Sequence, residues 1–290
     1  MVTPVRPAFH KASVAVPRSV EWILRVGVMM DFLGHGMVGF GRPAAWASYF
    51  GVVGIGHGNA YGLMPWVAIM DVTMALLALF FPVRAFVFFM TLWALWTALL
   101  RPLAGEPFWE ALERAGNYGA PWALYLVLGE QRFGDWLRGG VAEFFGERRK
   151  REVCMVLRLT TVALLLGHGA LGLLVRKPLL ASHYASIGLG GAAIEPWVGA
   201  FEILLSMAVL ARPGFGLLLF VFAWKLATEL LSPVAGSSFW VFVEHGGSYA
   251  APLALAFLQL AWLTDEAPAE VYRVAGGVLD DNPSGTPNPV

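Results

Sequence analysis

The chain has 290 residues, 58% hydrophobic and 14% charged. Soluble domains carry roughly 45–50% apolar and about 25% charged residues, so this composition excludes an ordinary soluble domain and points to lipid. Formal net charge is zero, leaving no global field to attract nucleic acid, and the single cysteine, Cys154, excludes an intrachain disulfide, a CxxC relay or a thiolate metal cluster.

Residues 1–19 form a basic leading segment carrying Arg6, Lys11 and Arg18. The apolar run after it holds Asp31 and His35 and lacks a small-residue cleavage site. It is therefore expected to stay as the first span. About 17–25 mostly apolar residues cross a bilayer as a helix. Spans are expected near 20–39, 64–82, 84–101 and 118–131, and again near 154–175, 193–211, 214–232 and 248–263. Between the two sets, 132–153 is a basic linker. Its Phe133, Trp136, Leu137, Phe144 and Phe145 suggest a helix lying on the inner leaflet, broken at Gly139–Gly140. Residues 264–290 are acidic and rich in Pro, Gly and Asn, and read as a disordered tail. Lys and Arg concentrate in the leading segment and the linker, which predicts both termini cytoplasmic.

The two sets of spans are copies of one unit. ILRVGVMMDFLGHG (23–36) faces VLRLTTVALLLGHG (156–169). PLAGEPFWEALERAGNYGAPWAL (102–124) faces PVAGSSFWVFVEHGGSYAAPLAL (233–255) with 12 identities in 23 positions. Pro65–Trp66 matches Pro196–Trp197, and Asp71 matches Glu202. An even number of spans per copy makes the repeat parallel about an axis along the membrane normal. The expected fold is an all-α polytopic membrane protein of about eight transmembrane helices. They would form two tandem four-helix bundles, at 20–131 and 154–263, related by a pseudo-two-fold.

An ionisable group at mid-bilayer costs roughly 2.5–3.5 kcal/mol and needs a partner or water. Here they are few: Asp31, His35, Asp71, His168, Glu202, Lys225 and Glu229. From the expected span directions, all but the deeper Asp31 fall in the outer half of the membrane, with Glu113 and Glu244 in loops just above. His35 and His168 share a Gly-His-Gly frame. Imidazole suits bridging between helices, proton transfer to a quinone, or axial ligation of a haem b by the pair. Asp71 and Glu202 are expected either to pair with those histidines or to carry a proton. Lys225 and Glu229, four apart on one helix face, replace Ala94 and Ala98 of the first copy. They read as a within-helix ion pair or as a charged site the first copy lacks. Glu113 and Glu244 read as helix-start acids or as members of the same polar layer. Arg25 and Arg158 are expected to reach for inner headgroups. No metal-ligand pattern, P-loop or nucleophile elbow is present.

Leu24–Arg25…Gly34–His35–Gly36 and Leu157–Arg158…Gly167–His168–Gly169 open the two copies. The aromatic-rich segments Tyr49–Phe50…Gly54 and His183–Tyr184…Gly188 follow, then Pro65…Asp71 and Pro196…Glu202. The Glu-x-x-Gly-x-Tyr pattern at Glu113 and Glu244 precedes the last span of each. This repeat unit resembles the DoxX/DoxD family of four-span membrane proteins over nearly the whole chain, taken as two copies. The resemblance implies a multi-pass inner-membrane protein tied to quinone-linked redox chemistry, since the family includes the small subunit of a thiosulfate:quinone oxidoreductase and subunits of membrane redox complexes. Its partners would be membrane lipid and a soluble or membrane redox subunit. His35, Asp71, His168 and Glu202 would then serve a quinone. Two other functions fit the same residues: a non-enzymatic scaffold whose polar groups only join helices, or a small-solute or proton transporter lined by Lys225 and Glu229.

Overall fold

The computed structural model describes residues 14–15, 17–128, 144–190 and 194–265. The stretch around Phe133–Leu137, its break at Gly139–Gly140 and the tail from 266 onward lie outside them. The described residues are helical apart from short connections and a two-residue antiparallel pairing of Val14–Ala15 with Phe144–Phe145. The first copy comprises α1 (Arg18–Phe40), α2 (Trp46–Val52), α3 (His57–Phe80), α4 (Arg84–Leu103), α5 (Trp109–Glu113) and α6 (Ala115–Val127). The second comprises α7 (Glu147–Ala170, continuing as a π turn over Leu171–Val175), α8 (Pro178–Ala185), α9 (Ile194–Ala211), α10 (Phe215–Val234), α11 (Phe239–Val243) and α12 (Gly246–Asp265).

Among the described residues, six helices are long and apolar enough to cross a membrane: α1, α3, α4, α7 with its π turn, α9 and α10. Their outward faces are apolar. Trp66 and Trp197, equivalent in the repeat, are 69% and 74% exposed, while Asp71, Glu202 and Lys225 are at most 1% exposed. Burying charges while exposing tryptophan inverts the soluble pattern and suits a lipid surround. The chain is a multi-pass membrane protein.

Several elements differ from expectation. Helix α3 starts at His57, about two turns earlier than the hydropathy suggests, with Ala60 already buried in its first turn. Helix α7 starts at Glu147, so Arg148–Arg151 belong to the first turns of a span and not to a separate linker element. The aromatic segments between spans are themselves short helices, α2 and α8. Arg25 and Arg158 also bond within the protein. Arg25 pairs with Glu21 at 2.6 Å and donates to Leu79 O, and Arg158 donates to the carbonyls of Val209, Leu210 and Ala211. Both thus satisfy carbonyls at the C-terminal end of the next long helix, where a cation is favoured.

The copies are interlocked rather than set side by side as two bundles. Helix α12 packs chiefly along α1, and α6 packs on α7 and α4. Small residues permit the exchange by letting backbones approach. Gly27 of α1 faces Gly246 and Ala250 of α12, and Gly119 of α6 faces Thr160 of α7. Helices α6 and α12 are consequently buried on nearly all sides and form the centre of the core with Leu24, Val28, Leu124, Leu157 and Leu255.

Candidate functional site

The ionisable residues expected in one layer do meet at one end of the bundle, arranged as two related half-sites. In the first, the Nδ1–H of His35 on α1 donates to Asp71 Oδ2 on α3 at 2.7 Å, and Trp93 Nε1–H on α4 donates to Asp71 Oδ1 at 3.1 Å. In the second, His168 on α7 bonds Glu202 on α9, and Trp224 Nε1–H on α10 donates to Glu202 Oε1 at 3.0 Å. Each carboxylate is thus saturated from two helices, which is what lets it persist at 0% exposure. The tryptophans were missed from sequence, although Trp93 and Trp224 occupy matching positions of the repeat.

The loops before the last helices close over these pairs. The backbone of Glu244 lies directly on Gly34, and that of Glu113 on Gly167, so tightly that any Cβ at either glycine would overlap it. Each loop therefore covers the histidine helix of the other copy. Between the loops, Arg114 Nη1 donates to Glu244 Oε1 at 2.7 Å, and His245 Nε2 meets Glu113 Oε1 at 3.2 Å. Position 114 is equivalent to 245 and 113 to 244, so these are one interaction repeated with the copies exchanged. Burial opposes charge on Glu113 and Glu244, but Arg114 and the neighbouring histidines outweigh it and hold both carboxyls below their ordinary range. Burial likewise opposes the charged form of His245, yet Glu229 and Glu113 raise its imidazole above the usual histidine range. Helix-start capping by Glu113 and Glu244 is replaced by these cross-copy ion pairs: neither acid bonds the first turn of α6 or α12.

The half-sites differ in what fills them. Lys225 Nζ lies 2.7 Å from Glu229 Oε1, the within-helix pair expected, and Glu229 Oε2 lies 3.7 Å from His245 Nδ1. Lys225 is 1% exposed, the largest of the fully buried side chains. In the first copy Ala94 and Ala98 stand at these positions, and there a cavity of ≈ 280 Å³ opens. Its base is polar, with His35, Arg101, Arg114, Asn117 and Glu244; its walls are Trp46, Tyr49, Phe50, Trp93 and Trp96. Trp46 stacks on the His35 ring at 4.5 Å between centroids. The Tyr49 hydroxyl donates to Glu106 and accepts from Arg101 at 3.3 Å. Burial and Glu106 push that phenol up to about 12, against Arg101, so it stays a hydroxyl. Val53, just after α2, and Trp96 of α4 line the cavity and are 50% and 39% exposed, an apolar edge open to the surround.

His35 keeps 21% of its side chain exposed and lines the cavity; His168 keeps 8% and does not. The two histidines bond separate carboxylates, Asp71 and Glu202, in separate half-sites. Donor atoms of Glu113, Glu229 and His245 converge within 4.8 Å and could close round a cation. Lys225 at 2.7 Å from Glu229 and Arg114 at 3.2 Å from Glu113 already serve that role. Sequence reasoning missed Trp46, Tyr49, Arg101, Arg114 and Asn117 as cavity residues. No protein-family model, curated protein or solved structure matches this chain.

Proposed function

We propose that the chain is a quinone-binding membrane subunit of a redox system, with the quinone head held in the first-copy cavity. The carrying observation is the cavity itself: a polar base at the His35–Asp71 pair, aromatic walls, and an edge of apolar, exposed side chains. Such a site suits a flat, lipid-soluble ligand whose head accepts hydrogen bonds and whose tail stays in the bilayer. Asp71 orients the imidazole through Nδ1 and leaves Nε2 for a ligand oxygen. A protonated His35 would donate there, and the pair could pass a proton when the quinone is reduced by a partner subunit.

The DoxX/DoxD-like pattern of the repeat agrees with this reading. Counting α6 and α12 as fourth spans gives eight helices about an axis along the membrane normal. The Lys and Arg distribution favours both termini on the cytoplasmic side of the inner membrane, with the cavity in the outer half. The Lys225–Glu229 pair supports a structural part for the second copy rather than a transport path, because each charge is buried against the other. Titration of the purified chain with decylubiquinone, followed by tryptophan fluorescence, tests the proposal. Saturable quenching is expected, weakened at least tenfold in His35→Ala and within about twofold of wild type in His168→Ala. Equal quenching in wild type and His35→Ala would remove it.

A further inference from the structure

Asp31 is a buried acid of α1 whose place in the second copy is taken by Leu164. Its Oδ1 accepts the backbone N–H of Gly247 at 2.7 Å. Its Oδ2 is buried and meets no hydrogen-bond partner among the described residues. A bare carboxylate oxygen in an interior is costly and calls for a specific cause. A second, smaller cavity of ≈ 20 Å³ supplies one, bounded among others by Asp31, His35, Asp71, Thr97 and Asn117. That volume admits about one water, and those side chains offer the two to four polar partners a buried water needs. His35 lines both cavities, so the small one joins Asp31 to the floor of the large one.

We propose that Asp31 holds a proton on Oδ2 and exchanges it with the His35–Asp71 pair through one water in the small cavity. Asp31 is then the deep end of a relay into the ligand cavity. Asp31 gives its proton to the water, the water gives one to the His35–Asp71 pair, and His35 gives one to the ligand oxygen. One proton moves at each step and no electrons. Asp31 is left as a carboxylate held by the Gly247 N–H, with Arg114 and His245 facing it against Glu244; the reverse transfer, from a reprotonated His35–Asp71 pair through the same water, recharges it, so Asp31 stores one proton for the cavity and is not its ultimate source. The second copy cannot do this, because Leu164 carries no proton. Delivery to a quinone rests on the function proposed above; the coupling of Asp31 to His35 does not.

Infrared difference spectra of the full chain in nanodiscs, in H2O and D2O, test the relay. A deuterium-sensitive protonated-carboxyl stretch is expected in the wild type. It should be lost in Asp31→Asn, which keeps an acceptor for Gly247, and in Asp31→Leu, the residue the second copy carries. It should shift in His35→Gln, because the water links the two groups. A band that survives in either folded Asp31 variant, or that His35→Gln leaves in place, overturns the relay. Decylubiquinone separates the two claims. Absent quenching in the wild type sinks the quinone reading, while the carboxyl band and its response to His35→Gln still decide the relay.

Discussion

Gly116 and Gly247, equivalent positions of the two copies, touch each other backbone to backbone. Equivalent residues meet only on a two-fold axis, so this contact marks where one copy turns into the other. Around it the Glu113–His245 and Glu244–Arg114 pairs repeat with the copies exchanged. A close backbone approach and the cross-copy charge pairs therefore share one place.

Any side chain at that axis must push two helices apart. Gly116→Ala and Gly247→Ala are each expected to destabilise the protein by about 2–4 kcal/mol, read as a lower thermal midpoint in detergent. Gly62→Ala on α3, where a Cβ meets open space, should instead leave stability unchanged or raise it, by up to about 1 kcal/mol of helix propensity. Equal effects at all three positions would contradict the axis contact.

At the loop interface, a permanent cation and a titratable one occupy matching positions, Arg114 and His245. The His245 imidazole is raised above its ordinary value by Glu229 and Glu113. Its stabilising charge is then complete below the unfolded pKa of about 6.5 and is lost as pH rises through the higher folded value. Thermal stability should fall as pH rises above about 6.5. His245→Arg should flatten that fall, and an unchanged slope in the variant would refute the assignment.

Lys225 neutralises Glu229 inside the core. Lys225→Met alone leaves buried acid uncompensated and should cost about 3–5 kcal/mol. Lys225→Met with Glu229→Met should be less harmful than the single change, because unpaired charge costs more than a missing pair. Chemical denaturation of the two variants checks the order, which reverses if Glu229 is held mainly by His245.

Trp93 and Trp224 each donate one hydrogen bond to a fully buried carboxylate. Phenylalanine at either position leaves an oxygen without its donor, at about 1–3 kcal/mol. Only Trp93→Phe should also weaken decylubiquinone quenching, because Trp93 alone of the two lines the cavity.

Much of this arrangement was legible in the sequence. The repeat offered His35 and His168 as partners for Asp71 and Glu202, with a protonated acid as the alternative, and four-residue spacing placed Lys225 beside Glu229. Helix periodicity sees only neighbours along one span, however. It could not show that α12 lies on α1 and α6 on α7, since that exchange depends on whether small residues of distant segments meet. The cavity was hidden for the same reason. Ala94 and Ala98 look like unremarkable apolar positions until the fold shows what their equivalents fill. Asp31 was visible as a lone acid, but its Gly247 partner lies in the other copy.

The central claim is that Ala94 and Ala98 leave open in the first copy a ligand site that Lys225 and Glu229 close in the second. Native mass spectrometry of the chain with decylubiquinone tests it directly, using the double variant Ala94→Lys, Ala98→Glu to rebuild in the first copy the pair the second already holds. One quinone per wild-type chain and none on the folded variant is the expected result. Undiminished binding to the variant, or two quinones on the wild type, would contradict the account.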